Sequence, residues 1–144
     1  LGVAVATDVA WDDDLRREGQ GLSAWFDDTA AGTNVAARWT EQRAARYMTV
    51  GPRGCLRIGV RAPADTPFYG APPTVTVRFN GTLLRTIALP RTRAEWVWHI
   101  FSNDSMKSAR GIVSFEVDRT TLVRIPGSVR RQRVGVAVAE LATF

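Results

Sequence analysis

Histidine and paired carboxylates are the residues of this chain whose types and spacing could support catalysis. A Ser–His–Asp or Cys–His arrangement needs a histidine within hydrogen-bond reach of a nucleophile, and His99 is the single histidine. It lies in the alternating run 95–101, which places it on one strand face with Val97 and Phe101. A histidine in this setting is expected to be structural or solvent-facing. The sequence therefore predicts a protein that is not an enzyme.

Loop aspartates supply the other candidate chemistry. Asp12, Asp13 and Asp14 form one group, and Asp27 and Asp28 form a second. Loop carboxylates are the ligands that Ca²⁺ requires, although this spacing matches no EF-hand. Solvated turn carboxylates are the first interpretation and a structural calcium is the alternative. A small hydrolase that uses these aspartates as an acid and base is a further hypothesis, which depends on a separation in space.

Two other stretches are predicted to contact a ligand or a partner. Phe68 and Tyr69 lie in the proline-rich loop 66–72, where aromatic side chains are readily exposed. Arg130, Arg131 and Arg133 follow a Pro-Gly break and are candidates for the same contact at one rim. The plainer interpretation is a solvated rim, or pairing with Asp and Glu of neighbouring loops. Nucleic acid is not the expected partner, because the chain has no recognition helix, ribonucleoprotein motif or long basic stripe.

Length and composition predict one domain spanning residues 1–144. A chain of 144 residues with 45% hydrophobic content can bury one core. The formal net charge is +5, and residues 73–144 hold 11 basic and 5 acidic groups, so the second half carries the positive field. The single cysteine, Cys55, lies in an apolar run and is expected to be a small buried hydrophobe.

The ends of the chain and its hydropathy lead to an expectation about location. No apolar run reaches about 18 residues, so no transmembrane helix is predicted. Because Leu1 is not an initiator methionine, we expect that a signal, an anchor or a larger partner domain precedes it.

Strand signals with Gly or Pro at their boundaries dominate the chain. The clearest is Thr74 to Leu89, where two alternating runs flank Asn80-Gly81, the dipeptide favoured in a type I′ hairpin turn. Further strands are expected at 55–61, 95–101, 111–118 and 133–144. The spacing of 41–46 is helix-like, whereas 45–50 alternates again, so that segment is ambiguous.

Eight or nine short strands with long loops and almost no helix predict an all-β fold. An antiparallel β-sandwich is expected, most simply a jelly roll. An immunoglobulin-type sandwich is the competing architecture, but its Cys, Trp, Cys core is missing here.

The order of segments resembles the jelly-roll accessory domains attached to bacterial glycosyltransferases and other cell-envelope polysaccharide proteins. Such domains are similar to galactose-binding and carbohydrate-binding modules. The resemblance covers about Gly21 to Leu141, and its most specific pieces are Arg38-Trp39-Thr40, the turn approach from Val77 to Gly81, and 131–138, RQRVGVAV. Two pieces depart from the pattern: no acid precedes the closing strand at 127–129, and 21–27 keeps the Gly, aromatic, Glu pattern only loosely.

The resemblance implies a non-catalytic, extracytoplasmic module in the periplasm or cell envelope of a bacterium. Such a module would contact glycan or a glycan-handling enzyme. The alternative is a structural subunit that docks onto a larger membrane-associated complex through its basic second half and its exposed edge strands. The sequence does not name the sugar.

Overall fold

The computed structural model describes residues 19–29, 32, 34–63, 73–90, 95–124 and 129–144. These residues form twelve β-strands and one short 3-10 helix, Asp104–Met106. The strands are β1 (Gln20–Leu22), β2 (Phe26–Asp28), β3 (Val35–Thr49), β4 (Cys55–Arg61), β5 (Thr74–Phe79), β6 (Thr82–Ala88), β7 (Val97–Ser102), β8 (Arg110–Val117), β9 (Thr121–Arg124), β10 (Arg131–Val134), β11 (Ala137–Ala139) and β12 (Ala142–Thr143).

Strand β3 is fifteen residues long and belongs to both layers of the fold. Its C-terminal part pairs with β1 and β8. Strands β5 and β6 continue this layer, and we call the strands in the order β1-β3-β8-β5-β6 sheet 1. Its N-terminal part pairs with β2 and β11. Strand β4 then pairs with β11 and β12 on one side and with β7 on the other, and this layer is sheet 2. All these pairings are antiparallel, so the predicted all-β sandwich is confirmed.

The hydrophobic core lies between the two sheets, and alternation along each strand creates it. Val113, Phe115 and Val117 share the inward face of β8, since all three are buried while Glu116 is exposed. They meet the inward side chains of sheet 2. That sheet contributes Leu56, Ile58, Val60, Phe101 and Val138 to the core.

The segment 41–46, which the sequence leaves ambiguous, continues strand β3 and is not helical. Ala45 lies opposite Gln20 of β1 on one side and Ser114 of β8 on the other. Backbone hydrogen bonds on both edges and burial of Ala44 in the core outweigh a weak local helical preference.

The Asn80-Gly81 hairpin is confirmed. Both residues have positive φ, 48° and 81°, as a type I′ turn requires. The Asn80 side chain also accepts a hydrogen bond from the Ile112 N–H at 2.8 Å and donates one to the Arg110 carbonyl at 3.2 Å. The turn is thereby attached to the neighbouring strand β8.

The C-terminal run 133–144, expected as one strand, is divided among β10, β11 and β12. The break between β10 and β11 falls at Gly135, where an added Cβ would lie 2.7 Å from Val117 and 2.8 Å from the Thr40 hydroxyl.

Cys55 is only half-buried, with its thiol 3.5 Å from the Ser102 hydroxyl, so its expected burial is wrong. Within the described part of the chain, no helix is long and apolar enough to cross a membrane.

Candidate functional site

A buried ion pair lies on the outer face of sheet 2. Arg61 donates from Nε to Asp28 Oδ2 at 2.8 Å and from Nη2 to Asp28 Oδ1 at 2.6 Å. The indole N–H of Trp96 also donates to Asp28, and the Arg61 guanidinium lies 5.1 Å from the centre of the Trp39 ring. This arrangement links β2, β3, β4 and the segment before β7.

Small side chains explain how Arg61 reaches across the sheet. Strands β3 and β11 lie between β2 and β4, and Ala37, Ala137 and Ala139 are all buried. Because alanine leaves space above the strands, the long arginine side chain can lie over them. Val123 and Val134 of the β9–β10 hairpin cover the cluster and shield it from water. The ion pair is therefore enclosed in the folded structure and is not open to a ligand.

The second feature is an open cleft, which we call the Trp25 cleft. It has a volume of about 550 Å³ and is lined by Trp25, Phe26, Asp27, Ala36, Arg46 and Glu140. A smaller hollow of about 10 Å³ adjoins the same tryptophan and arginine, and its lining includes the core residues Phe115 and Val138. The cleft thus lies where the space between the two sheets opens to solvent.

Trp25 provides an aromatic wall that is held in place. Its side chain is 47% exposed, and the Arg38 guanidinium lies 5.1 Å from the ring centre. Arg38 is itself buried, and its Nε donates to the Ser23 carbonyl at 2.7 Å. A buried arginine fixed by a neighbouring backbone carbonyl restricts the motion of the ring that it contacts. The exposed part of Trp25 remains available to a flat apolar group.

Arg46 provides a hydrogen-bond donor that is not used by the described part of the protein. Its Nε is buried and has no hydrogen-bond partner there. Arg46 pairs across the sheet with the core residue Val113, so its side chain points into the space between the sheets. A buried donor without a partner is costly and uncommon in native proteins. A ligand in the cleft could supply the acceptor that this donor lacks.

Two carboxylates complete the polar lining. Asp27 and Glu140 are both exposed and lie on the cleft wall. Carboxylates accept hydrogen bonds and arginine donates them, so the cleft offers both functions beside an aromatic surface. This set suits a neutral polyhydroxylated ligand that has one apolar face.

The predicted site residues fall in different places. Asp28 is held by Arg61 and Trp96, whereas Asp27 faces the cleft. The described residues contain no group of three or more His, Cys, Asp or Glu side chains that could hold a metal ion. Asp12, Asp13, Asp14, Phe68 and Tyr69 lie outside the described residues, so their predicted roles stay predictions.

The arginine run lies on the β9–β10 hairpin, away from the cleft lining. Arg131 and Arg133 are exposed on β10, opposite Arg124 and Leu122 of β9. Arg133 donates to the Thr120 hydroxyl at 3.3 Å. Arg130 is exposed just before this strand. The hairpin covers the cluster around Trp39, so this part of the run has a structural setting.

His99 shares the inward face of β7 with Val97 and Phe101, as the alternation predicts. Its ring lies 6.1 Å from that of Phe101, and burial together with the nearby Arg85 charge lowers its pKa below 6.5. The Nε2 atom is buried and finds no hydrogen-bond partner among the described residues. No carboxylate orients the ring, so the geometry of a catalytic histidine is not formed by these residues.

The sequence alone does not identify Arg46 as a site residue, because the helix-like spacing of 41–46 leaves the direction of its side chain open. Strict alternation along β3 contains the missing signal: Arg38 and Arg46 fall on the same face as the core residue Ala44. Arginine on an inward strand face requires either a partner or a ligand.

Compared with known proteins, the chain matches no protein-family model and none of the curated proteins.

Proposed function

We propose that this domain is a non-catalytic module that binds carbohydrate in the Trp25 cleft. The observation that carries the proposal is the pairing of a half-exposed indole with the unpartnered, buried Nε of Arg46 in one cleft. The resemblance to accessory domains of cell-envelope polysaccharide proteins favours a bacterial, extracytoplasmic setting and a glycan as the ligand.

The chemistry of a sugar ring fits these groups. A pyranose presents axial C–H groups on one face, which can pack on an indole, and hydroxyls around its rim. Those hydroxyls can accept from the Arg46 guanidinium and donate to Asp27 or Glu140. The cleft volume of about 550 Å³ lies within the range of about 300–1,000 Å³ that is usual for ligand pockets. One or two sugar rings would fill it.

Binding without hydrolysis is supported by the state of the carboxylates. A glycosidase requires a general acid whose carboxyl group is partly desolvated, so that it holds its proton near neutral pH. Asp27 and Glu140 are exposed, and Asp28 is committed to Arg61 and Trp96. These settings favour hydrogen bonding to a ligand over proton transfer to it.

Affinity electrophoresis through gels that contain bacterial envelope polysaccharides tests the proposal. We expect wild-type protein to be retarded by at least one polysaccharide and Trp25→Ala to bind it at least about tenfold more weakly. Trp98→Ala is the matched control, because it removes a similarly exposed indole from the other sheet edge. Phe68→Ala with Tyr69→Ala tests the loop prediction in the same gel.

Two results would reject the proposal. One is a lack of retardation in every polysaccharide by folded wild-type protein. The other is retardation that Trp25→Ala leaves unchanged. Circular dichroism spectra that match between variant and wild type establish that a loss of binding is not a loss of fold.

A further inference from the structure

An exposed apolar surface lies on the outer face of sheet 2, beyond the area that the β9–β10 hairpin covers. We call it the Trp98 surface and define it by Arg57, Trp98, Ile100 and Phe144. Trp98 is 44% exposed, Ile100 68% and Phe144 49%. Arg57 pairs with Ile100 across the sheet, so the two share this face. Phe144 exchanges backbone hydrogen bonds with Cys55 of β4, so it faces the same side of the sheet as Arg57. Several large exposed apolar side chains on one sheet face are characteristic of an interaction site.

Trp98 is fixed in position on this surface. Its ring lies on Gly59, where an added Cβ would come within 2.5 Å of the indole. The Arg57 guanidinium lies 5.0 Å from the ring centre, and the Trp96 ring is stacked at 5.8 Å. A rigid aromatic side chain loses little conformational entropy when a partner covers it. The indole therefore already holds, without a partner, the position in which a partner would contact it.

Strand β7 adds a second kind of recognition, because it is an edge strand in the described fold. It pairs with β4 on one side, and among the described residues no strand pairs with its other side. Edge strands are usually protected by lysine, proline or inward-pointing charges. Residues 97–102, VWHIFS, contain none of these and expose Ile100. On that side the backbone N–H and C=O groups have no strand partner within the described ranges, and they can accept one more strand.

The charges beside this edge select the partner. Arg57 lies on the outer side of the edge. Arg85 of β6 pairs with the core residue Val77, which places it on the inward face of sheet 1, where its charge lowers the pKa of His99. Neither arginine forms an ion pair with a carboxylate of the described residues. Two copies of this chain joined through β7 would bring these like charges together, and the chain as a whole carries +5. An acidic strand would neutralise them.

We propose that the β7 edge and the Trp98 surface bind an extended, acidic segment of another protein, which adds to sheet 2 as a strand. Alternate apolar side chains of that segment cover Trp98 and Ile100, and its acidic side chains face Arg85. This site is separate from the Trp25 cleft and does not depend on carbohydrate binding. The sequence analysis gave docking through an exposed edge strand as an alternative function. The present proposal assigns such docking to named residues and to an acidic partner.

The test uses the isotopically labelled domain and two synthetic octapeptides, one of alternating Val and Glu and one of alternating Val and Lys. We expect the acidic peptide, at about 1 mM or below, to shift the amide signals of 97–102 and the Trp98 indole signal. The basic peptide should leave them unchanged. An acidic peptide with methylated backbone nitrogens should also fail, because it cannot complete the strand pairing.

Variants of the domain separate the surface from the fold. Ile100→Glu and Arg85→Gln should each weaken binding of the acidic peptide by about tenfold or more. Leu122→Glu, at an exposed apolar position on β9, should not. Equal binding of both peptides, shifts confined to other strands, or concentration-dependent self-association that Ile100→Glu abolishes would each overturn the proposal. The last result would identify a second copy as the occupant.

Discussion

Arg61 of β4 and Asp28 of β2 form a bidentate ion pair across the outer face of sheet 2, with nitrogen–oxygen distances of 2.6 and 2.8 Å. Both side chains are 4% exposed. Removal of one partner leaves the other charge buried and unpaired. We expect Asp28→Asn to lower the free energy of unfolding by about 3–5 kcal/mol, measured by urea denaturation.

An exposed ion pair of the same fold provides the control. Arg43 lies 3.0 Å from Glu116, and their side chains are 83% and 46% exposed. Because solvent screens such a pair, Glu116→Gln should change the free energy of unfolding by less than about 1 kcal/mol. Similar losses in the two variants would contradict the structural role assigned to the Arg61–Asp28 pair.

Arg46→Met separates function from stability at the Trp25 cleft. The substitution keeps an unbranched side chain and removes a buried nitrogen that lacks a partner. We expect the free energy of unfolding to stay within about 1 kcal/mol of wild type or to rise, while retardation by polysaccharide is lost. A large loss of stability with binding retained would show instead that Arg46 supports the fold.

Gly59→Ala tests how Trp98 is positioned. The new methyl group would lie within 2.5 Å of the indole, so the ring has to leave its place on β4. We expect a red-shifted tryptophan emission and a destabilisation of about 1–3 kcal/mol. Binding of the acidic octapeptide should weaken in parallel. Unchanged emission and unchanged peptide affinity would contradict this account of the surface.

Asn80→Ala tests the attachment of the hairpin to β8. It removes a residue suited to positive φ and deletes the hydrogen bonds to the Ile112 N–H and the Arg110 carbonyl. We expect a loss of about 1–3 kcal/mol in the free energy of unfolding. Thr82→Ala, at an exposed position beside the turn, should change it by less than about 0.5 kcal/mol. Equal effects would contradict the prediction.

His99 makes stability depend on pH. Burial, and then the charge of Arg85, hold its pKa below 6.5 in the folded protein. The unfolded chain therefore binds this proton more readily, so stability falls as the pH decreases below 6.5 and levels off once both states are protonated. We expect an NMR titration midpoint below 6.5, raised by Arg85→Gln. A midpoint at or above 6.5 in wild type would contradict the assignment.

Local signals predicted much of the sheet framework. Alternation and turn chemistry located β4, the β5–β6 hairpin and β8 within one or two residues of their observed bounds. These segments alternate cleanly because one face of each is buried and the other is solvated. The same rule places His99 on one face of β7 with Val97 and Phe101, and the structure shows that this face points inward. Strand β3 is ambiguous in sequence because its inward face includes arginines, which weaken the apolar pattern.

The candidate site was less predictable than the fold. Asp27 and Asp28 are neighbours in sequence and have the same expected role as loop carboxylates. The structure pairs Asp28 with Arg61 and places Asp27 at the cleft. Their separation arises from the opposite directions of neighbouring side chains in a strand. Which of the two is neutralised depends on a partner 33 residues later in the chain.

The sequence by itself determined the all-β class, the hairpin at Asn80-Gly81 and the inward faces of several strands, because these depend on neighbouring residues and on a period of two. Tertiary structure alone decided that β3 spans both sheets, that Arg61 reaches Asp28, and that Trp25 and Arg46 line one cleft. Those relationships depend on strand order and curvature, which bring together residues that local patterns cannot connect.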